Sequence, residues 1–289
     1  MEPRWLNSVS LLFLSLILSC NGLPRNHGAI DYKLFLAANE KRPMVVAFGG
    51  SEGGMVYAGK ETQNLRESIL SLGYHFLVVG YFGTANTPKE LDRISLDAIY
   101  DTIKNVSYNH LIDQDQIVIF GGSRGGELVL NLASKYQDFA AIIAIVPPSV
   151  TLPSRFGWNE TSSWTFQQEQ IPWITATDES IELIDKGDFY GGFGKMIENP
   201  QAIEEFEIPV EKIMSPILFI SATDDEVWPS TLMCRRMANR LDKNNYQHFY
   251  QHIELKGGHA EFTKNYRMIL EFLKEHLQIE KPITGAKNP

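Results

Sequence analysis

Gln116-Ile117-Val118-Ile119-Phe120-Gly121-Gly122-Ser123-Arg124-Gly125 is the stretch on which the reading of the chain turns. Gln116–Phe120 is short and rich in β-branched and aromatic residues, as a strand buried on both faces requires. Gly125–Ser134 then shows helical spacing. The turn between them has the pattern G-x-S-x-G. A serine projects its hydroxyl above a sheet from a sharp strand-to-helix turn, with its own backbone strained. Side chains two residues before and after would collide inside that turn, so glycine stands at 121 and 125. Alone, the pattern is common; between an apolar strand and a helix it marks Ser123 as a candidate nucleophile.

Outward from this turn, short apolar runs alternate with helical ones. Met44–Phe48, Phe76–Tyr81, Ala140–Val146, Ile217–Ser221 and His252–Leu255 read as strands. Glu61–Leu72, Leu96–Val106, Thr231–Leu241 and Tyr266–His276 read as helices. The alternation predicts one domain over residues 28–279, a mostly parallel sheet flanked by helices. It fails between Pro147 and about Pro209, where Trp158, Trp164, Trp173, Phe156, Phe166, Phe189, Tyr190 and Phe193 cluster. So aromatic a segment cannot all face water. A lid over the sheet edge is expected at about 147–209, a packed loop being the plainer alternative. The tail at 280–289 is expected to be loose.

A serine hydroxyl needs a base to take its proton. Of the seven histidines, His27, His110 and His248 sit in polar surroundings, His75 begins a strand and His276 ends a helix. His259 follows the last strand after Lys256-Gly257-Gly258, in a loop at the carboxyl edge of the sheet. An acid after the preceding strand would orient and stabilise the imidazolium. Asp224, Asp225 and Glu226 compete there. Asp225, followed by Trp228-Pro229, is the choice; Asp224 is the reserve and is expected to cap the turn with its side chain, while Glu226 is expected to be exposed. The order Ser123, Asp225, His259 is that of the α/β-hydrolase fold, the fold class expected here.

The tetrahedral intermediate of such a reaction carries a negative charge and needs preorganised donors. The N–H of Arg124 is one candidate. Gly49-Gly50-Ser51-Glu52-Gly53-Gly54 supplies the other, with Gly50 preferred and Ser51 in reserve. No G-K-[ST] follows these glycines, which argues against a phosphate-cradling loop. Neither a metal nor an organic cofactor is expected.

Net charge is -9, from 26 basic and 35 acidic side chains, without a dense Lys/Arg run. That argues against nucleic acid, whose binding rests on phosphate neutralisation. At the start, Arg4 precedes the apolar run Val9–Leu18, too short to span a bilayer. Ile17-Leu18-Ser19-Cys20 resembles a lipoprotein signal. Residues 1–20 are therefore read as an export signal, with Cys20 a potential lipid anchor to a membrane. Cys234, within a helical pattern, is read as packing.

Further stretches carry a resemblance. They are Tyr81-Phe82-Gly83, Pro88–Ile94, Gly122–Leu128, Ile208–Ile213, Asp224-Asp225 with Trp228-Pro229-Ser230, and Gly258-His259. Together they resemble the C-terminal catalytic domain of acyl-CoA thioesterases and bile acid-CoA:amino acid N-acyltransferases. The spacing of 34 residues from Asp225 to His259 fits that family and favours Asp225 over Asp224. The resemblance implies an acyl-CoA substrate. Two departures qualify it. Few residues separate Cys20 from the first strands, so the family's N-terminal β-sandwich is not expected. The transferase branch resembles a cysteine-nucleophile enzyme, whereas Ser123 points to hydrolysis by water. The leading expectation is thus a serine hydrolase acting on a small-molecule acyl thioester or ester. Its rivals are an exported carboxylesterase or amidase that does not use CoA, and a non-catalytic anchored binding protein on the same scaffold.

Overall fold

The computed structural model describes residues 22–154 and 160–277. The segment read as a signal, the terminal tail, Phe156 and Trp158 lie outside them. In chain order the elements are β1 (Asp31–Phe35), β2 (Arg42–Phe48), α1 (Gln63–Ser71), β3 (His75–Gly80), β4 (Ile94–Ser95), α2 (Leu96–Ser107), β5 (Ile112–Gly122), α3 (Arg124–Lys135) and β6 (Ala141–Ile145). There follow β7 (Trp164–Phe166), β8 (Glu169–Gln170), α4 (Asp178–Asp185), α5 (Phe189–Met196) and α6 (Pro200–Phe206). The chain closes with β9 (Ile217–Ala222), α7 (Ser230–Lys243), β10 (Tyr250–Leu255) and α8 (Arg267–His276).

Seven strands form one sheet in the order β1-β3-β2-β5-β6-β9-β10. All neighbours are parallel except β1, an antiparallel edge strand on β3. The uniformly apolar strands are explained by helices on both faces. Met44, Val46 and Phe48 of β2, with Ile117 and Ile119 of β5, pack toward α2, α3 and α7. Their alternates Val45, Ala47, Val118 and Phe120 pack toward α1 and α8. β1 escaped the sequence reading because it is an edge strand whose side chains are half-buried or exposed, without the unbroken apolar run of a central strand.

The segment 147–209 divides in two, which corrects the expectation of an aromatic lid throughout. Its first half is core. β7 pairs in parallel with β4 and antiparallel with β8, a separate three-stranded sheet. Trp164 is fully buried beside Tyr81, and Phe166 packs edge-on against Tyr136. The second half carries α4, α5 and α6 and has its own small core around Trp228, Met233, Ile174 and Met196. From there Phe189 and Phe193 reach the main cavity. The aromatic count could not separate the two halves, because a buried indole and a lid indole look alike in sequence.

Arg124 and Glu127, one turn apart at the start of α3, fasten the first half to the sheet. Arg124 Nε lies 3.1 Å from Glu127 Oε2 in a buried ion pair. Arg124 also donates to Pro153 O at 3.2 Å and to the Ser163 hydroxyl. Glu127 Oε1 accepts from Leu152 N at 2.9 Å and from the Trp164 indole at 2.7 Å. Burial pushes the Glu127 carboxyl up, and the Arg124 charge with these two donors only partly reverses it. Replacing Trp164 with Ala removes a buried indole and a donor to Glu127, and is expected to cost about 3–5 kcal/mol in urea unfolding. Trp164→Phe keeps the packing but removes one of the two donors to Glu127 Oε1, at an expected cost of about 1–3 kcal/mol.

Candidate active site

Because β2, β5, β9 and β10 run parallel, their carboxyl ends open on one edge of the sheet. Ser123 follows β5 directly, at φ 58° and ψ -122°, a strained conformation for a side-chain-bearing residue. The turn is held by Ser123 N donating to Ile145 O at 2.8 Å. The steric reading of the glycines holds. A Cβ on Gly121 would fall 2.3 Å from Gly125 O, and one on Gly125 would fall 2.5 Å from Gly49 O.

Asp225 and His259 meet as expected. His259 Nδ1 lies 2.9 and 3.0 Å from the two carboxylate oxygens of Asp225. Asp225 Oδ1 also accepts from Val227 N at 2.9 Å and from Trp228 N at 3.2 Å. Burial works to raise the Asp225 carboxyl, but the His259 hydrogen bond and charge, with bonds from Ser230 and Val227, outweigh it and hold it below its ordinary value. Trp228 stands edge-on to the imidazole with centroids 5.0 Å apart, its indole anchored on Val146 O at 3.0 Å. Ser123 and His259 line the same cavity but form no hydrogen bond among the described residues. Such contacts commonly tighten only when substrate binds.

The other acids separate. Glu226 is exposed, as expected, yet its Oε2 accepts from His259 N at 2.9 Å and braces the histidine loop. Asp224 does not cap the turn with its side chain. It points to solvent, and its N–H bonds Gly257 O at 2.9 Å instead. Cys234 is buried, and burial pushes its thiol well up, in keeping with a packing role.

The candidate oxyanion donors need one correction. Arg124 N opens α3, where an N–H has no acceptor within the helix. Gly50 N, however, donates to Glu52 Oε1 at 2.8 Å. The turn brings an acid side chain back onto its own amide, a two-residue contact that the glycine-rich pattern does not announce. Ser51 N, the reserve, makes no hydrogen bond among the described residues.

These groups face a cavity of about 1450 Å³ with Met55, Val56, Leu65, Phe189, Phe193 and Phe262 on its walls. Sequence reasoning missed Tyr57 here, and named Glu52 and Glu226 without the backbone contacts they make. An acid between glycines was the visible signal for Glu52; nothing local marks the others. Val146 was missed as well. It holds φ 41°, kept there by its N–H on Ile220 O at 2.6 Å and by the Trp228 indole on its carbonyl. Among the described residues no group of three His, Cys, Asp or Glu is placed to hold a metal ion.

Sheet order, elbow and strand ends together define the fold of an α/β hydrolase. The solved α/β hydrolase GrgF from Penicillium sp. sh18 superposes with a TM-score of 0.54 at 14% identity, over 86% of this chain and 99% of that one. Residues 99–261 match the family described as BAAT / Acyl-CoA thioester hydrolase C terminal, and the chain belongs to that family. The peroxisomal succinyl-coenzyme A thioesterase of Mus musculus is 23% identical over 76% of this chain and 49% of its own length. Acyl-coenzyme A thioesterase 2, mitochondrial, of Homo sapiens is 23% identical over 69% and 38%. The chain thus spans half or less of these relatives.

These relatives overturn the expectation of export, since one is named peroxisomal and the other mitochondrial. A short apolar run behind a single arginine is too weak a pattern to specify a destination against them. Cys20, on which the anchor reading rested, lies outside the described residues.

Because the folded Asp225 carboxyl titrates below 3.8, its contribution to stability is present above that pH and is lost as pH falls through the lowered value. Urea unfolding of the wild type and Asp225→Asn is expected to show a wild-type advantage that shrinks below about pH 3.8. An advantage independent of pH would mean that the carboxylate charge is not what holds this loop.

Proposed function

We propose that this chain is a serine hydrolase of acyl thioesters, with Ser123 as nucleophile, His259 as general base and then acid, and Asp225 as the group that orients the imidazole. The observation that carries this reading is the His259–Asp225 pair on the cavity that also receives the strained Ser123 elbow. With Nδ1 on Asp225, His259 Nε2 is the nitrogen left to take the Ser123 Oγ proton. Oγ then attacks the carbonyl carbon, and the oxygen becomes an anion held by the Arg124 N–H and an N–H of the Gly50–Ser51 turn. Ser51 is the turn amide already free. Collapse breaks the bond to sulfur as His259 returns the proton to the leaving thiolate, which leaves an acyl-enzyme. Water, deprotonated by the same imidazole, releases the acid and restores Ser123. The apolar walls suit the acyl chain, and α4 and α5, with Phe189 and Phe193, act as its cover.

One observation supports a second reading, an oxyester substrate without CoA. The cavity's wall carries Lys60 and Lys264 against Glu52, Glu61 and Asp185, so it has no surplus of cations for a polyphosphate. The Arg124 guanidinium is turned into the core.

The test is kcat/KM on one octanoyl group presented as a CoA thioester and as an ethyl oxyester, beside Ser123→Ala. The serine variant is expected to lose at least about 10⁴-fold on either substrate while unfolding like the wild type. A rate unchanged by Ser123→Ala would sink the nucleophile assignment. A preference for the oxyester would select the second reading.

A further inference from the structure

Two polar groups beside Ser123 have no part in the chemistry above. The first is Glu52. Its Oε1 accepts the Gly50 N–H, and its Oε2 lies 3.0 Å from the point where a Gly50 Cβ would stand. That same point is 3.0 Å from Ser123 Cβ, so the free carboxylate oxygen and Ser123 border the same space beside Gly50. Glu52 forms no ion pair among the described residues, although it lines the cavity. The second group is the Tyr57 hydroxyl. Tyr57 is 3% exposed, its ring stands edge-on to Phe120, and its O–H has no hydrogen-bond partner among the described residues. The hydroxyl lies 3.5 Å from where a Gly122 Cβ would stand, and Phe262 Cζ lies 3.2 Å from that point. Glycine at 122 therefore leaves room for a hydroxyl and an aromatic ring immediately before the nucleophile.

A lone carboxylate next to a developing oxyanion is unfavourable for a neutral acyl group, because two negative charges then share one turn. A cation between them reverses the sign. It would pair with Glu52 Oε2, donate a hydrogen bond to the Tyr57 hydroxyl oxygen, and face the Phe262 ring. A protonated amine close to the carbonyl of an acyl group bound at Ser123 would be such a cation. We propose that Glu52 and Tyr57 form an ammonium subsite, and that the acyl group this chain prefers carries a protonated amine close to the scissile carbonyl. This rests on the hydrolase reading and narrows its substrate class to aminoacyl thioesters or esters. The reaction is otherwise as above: Oγ displaces the thiolate or alkoxide, and the amine takes part in no bond making.

Matched ethyl thioesters of hexanoic and 2-aminohexanoic acid test it, with Ser123→Ala to subtract spontaneous hydrolysis and a fluorophosphonate probe to report on Ser123. The wild type is expected to favour the aminoacyl substrate by at least about tenfold in kcat/KM. Glu52→Gln keeps an oxygen for the Gly50 N–H but loses the charge. It should bring the ratio to within about twofold, by slowing the aminoacyl and speeding the plain substrate. Tyr57→Phe should narrow the ratio less. If Ser123 is labelled in both proteins and Glu52→Gln leaves the ratio unchanged, Glu52 is only a brace for the turn and the subsite is refuted. If wild-type Ser123 neither labels nor turns over either thioester, the hydrolase reading fails and the subsite with it.

Discussion

The site is built on a close approach between backbones. Gly125, at the start of α3, lies so near Phe48 and Gly49 that no side chain fits between them. That contact presses the end of β5 against the end of β2 and forces Ser123 into its strained turn. It also brings the glycine-rich turn after β2 next to Ser123, which is how Gly50, Ser51 and Glu52 come to line the cavity. Strain of this kind persists only where the surroundings over-determine it. Here they do so through the Ser123 N–H on Ile145 O and the flanking strands β2 and β6. The neighbouring Val146 is held at positive φ in the same way, by an amide on one side and an indole on the other.

Much of this was legible in the chain. Strands buried on both faces announce themselves as short apolar runs, and each of the runs read as a strand is one, to within a few residues. The order of Ser123, Asp225 and His259 on successive strand ends was legible because a parallel sheet turns sequence order into position along one edge. The pairing of His259 with Asp225 rather than Asp224 followed from spacing and from Trp228-Pro229. What stayed hidden has one cause, contacts made by side chains that return to the backbone. Glu52 on Gly50 N and Glu226 on His259 N are invisible to periodicity, since each depends on a turn angle and not on a pattern.

The segment 147–209 shows the same limit at larger scale. Its aromatic content correctly says that it is buried, but burial against the sheet and burial under a mobile cover demand the same residues. The structure separates them by partners. Trp164 is tied to Glu127 and packed beside Tyr81, whereas Phe193 meets Trp228 and the cavity. The helical half packs on the scaffold through Trp228 and Met233, and Thr151 N on Phe206 O and Ile208 N on Ser149 O tie it to the chain leaving β6.

Arg124 serves two masters. Its amide stands at the open start of α3 beside Ser123, while its guanidinium lies in the core, holding Pro153, Ser163 and Glu127. Every residue type has the amide; only arginine has the fork. The identity of residue 124 therefore encodes the route taken by the neighbouring insertion and says nothing about the reaction. A chain with a differently routed insertion could carry another side chain there and keep the same elbow, so position 124 is a marker of architecture seated inside the G-x-S-x-G motif.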